Sequence, residues 1–517
     1  MEDTPSVPDD QHRPADVPPD LPLDVRRAGV LLHVTSLPSP YGTGDLGHAA
    51  YRFVDFLAAA GVTVWQVLPL VPTHAEDRSP YNGLSALAGN PELVSLDWLA
   101  DRGLLRDDDL AQVASGEISR AEARTRAVRL WQSEVEAGER QEQREHFLSW
   151  VDEHDDWLGD YTDFVALRES LGGTSWHDWE PGLRDRDADA LDKALAPLQD
   201  RLRVLQFEQY LFDTQWQELR DYAAERGVLV FGDLPIFVSH DSADVWVDRA
   251  QFDLDETGAP RTVTGVPPDY FAQDGQRWNN PHYDWDVMRE DGFAWWRRRI
   301  ARQRDLFDLV RIDHFRGLEA SWHIPASAET AREGEWVASP GVEVLTALVA
   351  EAGEGHLVAE DLGVITPEVE ALRLRFGLPG MKVLQFAFDG NPANPHLPHH
   401  HDHLGVVYTG THDNDTSVGW LSEVDDRTRV RIRGHLVGPT DDMPWPLMRT
   451  AMASVSRLAV VPAQDLLGLG SAARMNVPGK ATGNWSWQLR EGALDDAIAA
   501  RLRDVLERYD RVPGDPR

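Results

Sequence analysis

The sequence predicts an α/β protein, a (β/α)8 (TIM) barrel with inserted helical and lid subdomains and no C-terminal β-sandwich. About eight short apolar runs are spread along the 517 residues, and most are continuous, as in strands covered on both faces. Amphipathic helical stretches separate many of them, for example residues 49–60 and 207–226. This alternation is typical of a barrel of parallel strands. An open doubly wound sheet is the alternative, although no G-x-G-x-x-G fingerprint follows any of the runs.

The predicted strands follow one another from the point near residue 27 where the apolar content rises. They lie at residues 28–34, 62–68, 228–234, 309–312, 356–359, 381–388, 406–409 and 458–463. Residues 25–98 and 206–517 are therefore assigned to the barrel. A last helix is predicted over residues 489–509, which leaves no room for a β-sandwich behind it.

Three segments fall outside this alternation. Residues 1–24 are rich in Pro and Asp and poor in apolar residues, which predicts a disordered tail. Residues 99–205 are charged, helical in period and poor in strand signals, which predicts a helical insertion after the second strand. Residues 241–285 are rich in Trp, Tyr, Pro and Gly and follow the third strand. Loops at that face of a barrel build active sites, so this segment is predicted to be a lid.

The composition restricts the class of protein and its partners. The net charge of −37 disfavours nucleic acid and anionic membranes as partners. The chain has no Cys, so disulfides, thiolate metal sites and a Cys nucleophile are excluded. The first 20 residues lack the basic and apolar segments of a signal peptide, and no apolar stretch is long enough to cross a membrane. We therefore expect a cytoplasmic protein without nucleic-acid or membrane partners. A monomer and a homodimer remain equally open.

The charged residues include very few lysines and a large excess of acidic residues. Lys193, Lys382 and Lys480 are the only lysines, whereas 87 residues are acidic. A GC-rich genome explains the scarcity of lysine but not the surplus of acid. Such an acidic surface resembles that of proteins from a high-salt cytoplasm, where ions screen the self-repulsion. A halophilic protein is therefore the second hypothesis for this composition.

The predicted strand at residues 309–312 is followed by an acidic residue, Asp313, in a region where a barrel-lining strand should be apolar. Arg311 and Asp313 are two positions apart and so point to the same face. An adjacent Arg keeps a carboxylate ionised, as a nucleophile requires. The alternative interpretation of this pair is a structural salt bridge.

Two further strands are followed by acidic residues. Glu360 ends the apolar run at residues 356–359, where partial burial would raise its pKa and suit it to act as a general acid. The alternative is a helix cap, a role that Asp361 fits better. Asp413 follows the run at residues 406–409 in a polar segment next to His412. Here the alternative is again a helix N-terminus, which Asp415 or the residue after it would cap.

Three carboxylates at the ends of three strands are stronger evidence than any one of them, because catalytic residues of such barrels come from several strand ends. A pair of carboxylates is what glycoside cleavage requires. One carboxylate attacks the anomeric carbon, and the other protonates the leaving oxygen. Residues 399–403 are rich in His, but they lie in a Pro-rich connection without the regular spacing of a metal site. Residues 42–44 lack the Lys of a phosphate loop, so no nucleotide cofactor is expected. From these two observations the sequence predicts neither a metal ion nor another cofactor.

Four long motifs stand at or near the ends of predicted strands: residues 232–239 (GDLPIFVS), 311–319 (RIDHFRGLE), 359–365 (AEDLGVI) and 410–416 (GTHDNDT). They resemble the conserved regions of the α-amylase clan, and in detail those of its amylomaltase family, glycoside hydrolase family seventy-seven. Residues 32–44, 79–91 and 267–281 are similar to further segments of the family. The resemblance extends from residue 27 to the end. Asn279 is a departure, since Gly is more usual there.

The resemblance implies 4-α-glucanotransferase activity on α-1,4-glucans. By it, Asp313 is the nucleophile, Glu360 the acid/base and Asp413 the residue that holds sugar hydroxyls in the transition state. It further implies that Arg311 and His412 are partners of these carboxylates. The substrate-binding residues that it implies are Tyr81, Asp233, Trp278, His314 and Asn484.

Two other functions remain as alternatives. An α-glucan hydrolase would use the same carboxylates in a more open site. Transfer wins over hydrolysis only if the acceptor is held in place and water is kept out. The predicted lid, with Trp278, has the composition for that task, although ordinary packing would also account for its aromatic residues. A catalytically inactive glucan-binding protein is the second alternative, and the presence of all three carboxylates argues against it.

Overall fold

The computed structural model describes residues 22–268, 273–480 and 482–512 of the chain. In this part of the chain there are twelve strands, which are β1 (Arg27–Leu31), β2 (Val64–Gln66), β3 (Leu229–Pro235), β4 (Thr262–Val266), β5 (Gln276–Pro281), β6 (Leu309–Asp313), β7 (Ala320–Pro325), β8 (Glu335–Ala338), β9 (Leu357–Ala359), β10 (Gly380–Val383), β11 (Gly405–Tyr408) and β12 (Leu458–Pro462).

The helices of the described residues fall into two groups along the chain. Those up to the third strand are α1 (His48–Ala60), α2 (Leu96–Asp101), α3 (Asp107–Ser115), α4 (Arg120–Glu136), α5 (Gln141–Glu153), α6 (Leu158–Ser170), α7 (Pro181–Arg184), α8 (Ala188–Leu195) and α9 (Gln199–Glu225). Those that follow it are α10 (Ala243–Val247), α11 (Trp285–Glu290), α12 (Ala294–Leu306), α13 (Gly341–Ala352), α14 (Pro367–Arg375), α15 (Ser417–Glu423), α16 (Asp426–His435), α17 (Trp445–Ala453), α18 (Ala463–Leu466) and α19 (Asp496–Arg508). Among the described helices none is long and apolar enough to cross a membrane.

Eight of the strands form a parallel barrel in the order β10-β11-β12-β1-β2-β3-β6-β9. The N–H of Ala359, the last residue of β9, donates to the carbonyl of Pro379 directly before β10 at 2.8 Å, which draws the two ends of the sheet together. Each of the eight apolar runs overlaps one of these strands, so the predicted barrel is confirmed. The run at residues 381–388 is longer than its strand, because the chain turns into a 3-10 helix after Val383.

The interior of the barrel is filled by one buried cluster to which all eight strands contribute. Its members include Leu31, Val64, Phe231, Leu309, Val358, Met381, Val406 and Leu458. Side chains alternate along a strand, so the residues two positions further on continue the same interior column. On β6 that column runs from Leu309 to Arg311 and Asp313. The alternation of the strands therefore carries polar side chains from the packed core to the mouth of the barrel.

A second, antiparallel sheet of order β5-β4-β7-β8 lies after the third barrel strand. Two of its strands come from the predicted lid at residues 241–285, of which residues 269–272 lie outside the described residues. The other two, β7 and β8, follow β6, and none of the four strands was predicted from the sequence. Polar residues interrupt β7, and β8 is exposed along most of its length, so they lack the continuous apolar pattern that marked the barrel strands.

Helices α2 to α9 lie between β2 and β3, and a buried ion network docks them on the barrel. Arg124 on α4 donates to Glu208 on α9 at 2.8 Å and to Glu92, in the loop after β2, at 2.7 Å. The side chains of Arg124 and Glu208 are both almost fully buried. Because an uncompensated buried charge is costly, this pairing holds the helices to the barrel in one arrangement. Helix α9 is a single 27-residue helix that runs across the predicted boundary at residue 205.

The two ends of the described chain meet at the face of the barrel opposite the strand C-termini. Leu23 is buried in the interior cluster of the barrel, and residues 1–21 of the predicted tail lie outside the described residues. Arg511 is fully buried and donates to five backbone carbonyls, those of Arg27, Met452, Ser454, Ser456 and Arg457. After β12 the described residues contain helices and no further strand, in agreement with the predicted lack of a β-sandwich.

Candidate active site

The site lies at the C-terminal ends of the barrel strands, and an arginine at its centre joins two carboxylates. Asp233 on β3 and Arg311 on β6 are neighbours in the strand register. The Arg311 guanidinium donates to Asp233 Oδ2 at 2.5 Å and contacts Asp313 Oδ1 at 2.6 Å. Burial opposes the charge of Arg311, but these two carboxylates outweigh it and raise the pKa of the guanidinium well above its usual value. Asp313 is thereby held next to a permanent positive charge.

Tyr81 lies on the other side of Asp233 and connects it to the loop after β11. The Tyr81 hydroxyl donates to Asp233 Oδ2 at 2.6 Å. The oxygen of this hydroxyl also lies 2.8 Å from His412 Nε2. The hydroxyl has only one proton, so His412 must supply the proton of the second hydrogen bond through Nε2. The Tyr81 and His412 rings also stack, with centroids 5.2 Å apart and planes 17° apart. Tyr81 therefore fixes the protonated nitrogen of His412 as well as its orientation.

Glu360, at the end of β9, is buried and hydrogen-bonded only to backbone donors among its described polar contacts. Its Oε2 accepts the N–H of His314 at 2.7 Å, and its Oε1 accepts the N–H of Leu362 at 2.9 Å. Burial raises the pKa of Glu360 to about 8, although the charge of Arg311 and the two N–H donors oppose the shift. A carboxyl with this pKa keeps its proton at neutral pH and can give it to a leaving group.

His314 has a backbone conformation that aims its N–H at Glu360. Its φ of 50° lies in the left-handed region, directly after β6. Burial lowers the pKa of the His314 imidazole to about 4, so the ring is neutral at physiological pH. Through this uncommon backbone conformation and the hydrogen bond of its N–H to Glu360, His314 ties the ends of β6 and β9 together.

Asp413 lies in the loop after β11, and its side chain is 43% exposed. Its Oδ2 lies 3.3 Å from His412 Nε2, and its Oδ1 accepts a hydrogen bond from Asn476 Nδ2 at 2.6 Å. The Arg474 guanidinium donates to the Asp413 backbone carbonyl at 2.6 Å. The sequence analysis did not predict Asn476 or Arg474, because no local pattern relates them to Asp413, which lies 63 and 61 positions earlier.

Trp278 on β5 reaches the site from the antiparallel sheet. Its ring meets the His314 ring edge to face, with centroids 4.8 Å apart and planes 88° apart. The next residue, Asn279, has a φ of 68°. Asn is one of the few residues besides Gly that tolerate this left-handed conformation, so the backbone at position 279 accommodates the Asn that stands there.

Asn484 is the one predicted site residue whose side chain points elsewhere. Its amide accepts the N–H of Val477 at 3.0 Å and donates to the carbonyl of Lys480 at 2.9 Å, so it braces its own loop. Its contact with substrate stays a prediction. The neighbouring Trp485 does face the site, with its ring 5.8 Å from that of Tyr81. The structure thus brings nine of the predicted site residues together: Tyr81, Asp233, Trp278, Arg311, Asp313, His314, Glu360, His412 and Asp413.

The His-rich segment at residues 399–403 has structural roles in the fold. His401 Nδ1 lies 2.8 Å from the Ser454 hydroxyl, and His401 Nε2 lies 2.9 Å from the carbonyl of His396. His396 in turn accepts the N–H of Val383 at the end of β10. In the described residues no group of three or more His, Asp or Glu side chains is placed to hold a metal ion.

The chain matches known proteins over nearly its full length. The model of a family described as 4-alpha-glucanotransferase matches residues 32–494. A 4-alpha-glucanotransferase of Thermus thermophilus is 48% identical over 94% of this chain and 99% of its own length. The chloroplastic/amyloplastic 4-alpha-glucanotransferase of Solanum tuberosum is 44% identical over 95% of this chain and 87% of its own length.

Two solved structures share the fold. The amylomaltase from Streptococcus agalactiae, solved in complex with acarbose, superposes with a TM-score of 0.89 at 33% identity, over 94% of this chain and 99% of that one. The amylomaltase from Corynebacterium glutamicum superposes with a TM-score of 0.73 at 20% identity, over 95% of this chain and 75% of that one. Together with the family match over residues 32–494, these relatives show that the chain belongs to the 4-α-glucanotransferase family.

Proposed function

We propose that this site transfers a segment of an α-1,4-glucan to the 4-hydroxyl of an acceptor glucose or glucan through a covalent glycosyl-enzyme. One observation carries the proposal: Arg311 holds the Asp313 carboxylate at the same mouth where Glu360 is buried with a raised pKa. A retaining mechanism requires one carboxyl group that attacks the anomeric carbon and a second that gives a proton to the leaving oxygen. The family and its acarbose-bound structural relative support an α-glucan as substrate.

In the first step the Asp313 carboxylate attacks the anomeric carbon of the donor glucose. The bond from that carbon to the glycosidic oxygen breaks, and Glu360 gives its proton to this oxygen, which leaves as the 4-hydroxyl of the departing sugar. In the second step the 4-hydroxyl oxygen of an acceptor attacks the same carbon. Glu360 takes the hydroxyl proton, and the Asp313 carboxylate is released. The α configuration is retained because each step inverts it once.

The remaining residues orient the donor sugar and stabilise charge. We propose that Asp413 and His412 hold hydroxyls of the donor glucose, where hydrogen bonds strengthen as positive charge develops on the ring. Tyr81 and Asp233 would bind the same sugar from the other side. Their hydrogen bonds to one another and to Arg311 support this role, since they fix the side chains before substrate arrives.

Water competes with the acceptor for the glycosyl-enzyme, and we propose that the antiparallel sheet favours the acceptor. Trp278 packs on His314, next to the strand end that carries Asp313. Its indole would stack on the acceptor sugar and exclude water from the anomeric carbon. The hydrolase alternative requires the opposite, an open acceptor side. Asn484 would contribute indirectly, by shaping the loop that carries Trp485.

The test of the function is to incubate the pure protein with maltotriose, in dilute buffer and in molar KCl, and to separate the products. A transferase gives glucose together with a ladder of longer maltodextrins and no rise in total reducing ends. Glucose and maltose with rising reducing ends would instead establish the hydrolase. No products in either buffer would leave only the glucan-binding protein. Higher activity in KCl is expected from the net charge of −37, and equal activity would contradict a halophilic protein.

Replacement of Trp278 by Ala should raise the ratio of hydrolysis to transfer by roughly tenfold, because the acceptor loses its stacking surface while water gains access. The measurement is free reducing ends against chain-length redistribution from maltotriose. Trp336→Ala is the matched control, since this exposed Trp lies on β8 at the opposite edge of the same sheet. An unchanged ratio in Trp278→Ala, or an equal change in both variants, would refute the lid role.

We further propose that the protein works in the cytoplasm without nucleic-acid or membrane partners. The large negative net charge supports this, because it repels nucleic acid and anionic lipid headgroups. The lack of Cys supports a reducing compartment. Retention of the protein on heparin or on anionic vesicles at physiological salt would contradict the proposal.

A further inference from the structure

We propose that Asn476 is a positioning residue for Asp413, which it holds in the orientation that the transition state requires. The proposal rests on the proposed function, in which Asp413 binds hydroxyls of the donor sugar. It assigns to residues 471–480 and 482–485, called the terminal loop below, an influence on the chemical step that acts through Asp413.

Asp413 accepts one side-chain hydrogen bond from the protein among its described contacts. Its Oδ1 accepts from Asn476 Nδ2 at 2.6 Å. Its Oδ2 lies 3.3 Å from His412 Nε2, but the proton of this nitrogen goes to the Tyr81 hydroxyl. Since each oxygen accepts more than one hydrogen bond, both keep capacity for sugar hydroxyls. A half-exposed Asp would otherwise rotate about two bonds, and the hydrogen bond from Asn476 limits that freedom before the donor binds.

The backbone of Asn476 is itself fixed relative to Asp413. The Arg474 guanidinium donates from Nη2 to the carbonyl of Asp413 at 2.6 Å and from Nε to the carbonyl of Asn476 at 2.7 Å. One rigid planar group therefore connects both backbones. These two contacts of Arg474 hold the Asp413 and Asn476 backbones at a fixed distance, independently of the hydrogen bond between the Asp413 and Asn476 side chains.

The terminal loop is held on both sides of Arg474, by contacts to the rest of the barrel before it and by a contact within the loop after it. Ser471 donates to Asp415 Oδ2 at 2.6 Å, and Gln464 on α18 donates to the carbonyl of Ala473 at 3.2 Å. The N–H of Trp485 donates to the carbonyl of Met475 at 2.8 Å. The position of Asn476 is therefore built by the tertiary structure, and its amide is presented to Asp413 by a fixed frame.

A purely structural role for Asn476 makes a different prediction from a positioning role. If the amide only stabilised the terminal loop, its removal would resemble removal of Asn484, whose amide bonds to the backbone of the same loop. Such a loss would weaken substrate binding and raise KM. If Asn476 orients Asp413 in the transition state, its removal lowers kcat and leaves KM nearly unchanged.

The decisive experiment compares Asn476→Ala, Asn476→Asp and the matched control Asn484→Asp across pH 5 to 8, with the full chain and maltotriose as substrate. Asn476→Ala should lower kcat on the order of 10- to 100-fold with KM within about twofold. In Asn476→Asp the introduced carboxyl faces Asp413, and this like charge raises the pKa of the introduced group. Once protonated, that group can donate a hydrogen bond as the amide does.

The activity of Asn476→Asp relative to wild type should therefore rise by roughly tenfold as the pH falls from 8 to 5. The charged or titratable side chains that face this pair are His412, Arg474 and Tyr81, and all three are retained in every variant. Asn484→Asp should show a ratio to wild type that is constant with pH, because its described contacts are to loop backbone and not to a carboxylate, so the introduced carboxyl stays ionised from pH 5 to 8. A ratio for Asn476→Asp that is equally constant would overturn the proposal.

The remaining outcomes are also decisive. If circular dichroism shows that Asn476→Asp does not fold, Asn476→Ser replaces it: a lower kcat at unchanged KM supports the positioning role, and a kcat within about twofold of wild type overturns it. A rise in KM alone in Asn476→Ala likewise overturns it. Wild-type enzyme is assayed in the same buffers, so that a lack of wild-type transfer indicates failure of the proposed function and not of Asn476.

Discussion

Replacement of Asp313 by Asn should lower kcat for maltotriose disproportionation by about 10⁴-fold or more, because the amide cannot attack the anomeric carbon. In this structure the substitution should leave the neighbouring contacts of the site in place. Asn keeps an oxygen that can stay in contact with the Arg311 guanidinium, and the hydrogen bond from Arg311 to Asp233 is untouched. Product ladders measured over several hours provide the sensitivity that such a loss needs.

The control for this prediction is Asp389→Asn, the same chemical change at an exposed loop position on the barrel. It should retain wild-type kcat within about twofold. Binding of maltodextrin to Asp313→Asn, followed by tryptophan fluorescence, should persist, because the other groups that hold the donor sugar remain. Full activity in Asp313→Asn would remove the nucleophile from the mechanism and would favour a different attacking group.

Replacement of Glu360 by Gln should lower kcat for maltotriose by roughly 10²- to 10⁴-fold, because Gln can neither protonate the leaving oxygen nor deprotonate the acceptor. The loss should depend on the leaving group. An α-maltosyl fluoride needs little protonation to release fluoride, so its first step should be nearly unimpaired. The glycosyl-enzyme on Asp313 should then accumulate, and azide, which carries no proton to remove, should release it as an α-maltosyl azide.

The pH dependence of wild type follows from the same residue. Burial raises the pKa of Glu360 to about 8, so the group is protonated below that pH and loses its proton above it. The ratio kcat/KM reports the free enzyme and should therefore fall as the pH rises through about 8. Glu360→Gln should lose this alkaline limb when the fluoride is the donor. The control is Glu370→Gln, an exposed position on α14, which should keep the wild-type profile.

An alkaline limb that survives in Glu360→Gln would assign the proton to another group. The same conclusion would follow if the fluoride donor were no better a substrate for this variant than maltotriose. Both results would leave Asp313 as nucleophile, so the predictions for Asp313 and Glu360 can fail independently of one another.

The barrel strands are visible in the amino-acid sequence as separate local patterns. Continuous apolar runs predicted the eight strands, because parallel strands buried on both faces need apolar residues at every position. The same local rule exposed the polar strand ends, since Arg311, Asp313 and Glu360 break the apolar pattern where the strands reach the mouth. The resemblance of residues 311–319 and 359–365 to a known family then gave these carboxylates their predicted roles.

The antiparallel sheet was not predicted, for an equally physical reason. Polar residues interrupt β7 and β8 is mostly exposed, so their sequences carry neither an apolar run nor a clear alternation. Strand β7 forms on the pairing edge of β4, with Gly265 opposite Trp322, and β8 pairs in turn with β7. A strand that is stabilised mainly by a neighbour from elsewhere in the chain leaves little signal of its own.

Local alternation and motifs a few residues long were thus enough to specify the barrel, its strand ends and the three carboxylates. How those carboxylates are held depends on contacts between parts of the chain that are far apart in sequence. Tyr81 meets Asp233 and His412, and Asn476 meets Asp413, across separations of 63 to 331 residues. Such contacts arise from the closure of the barrel and the path of its loops, which no local pattern encodes. The same closure buries Glu360 and so sets the proton on which the proposed reaction depends.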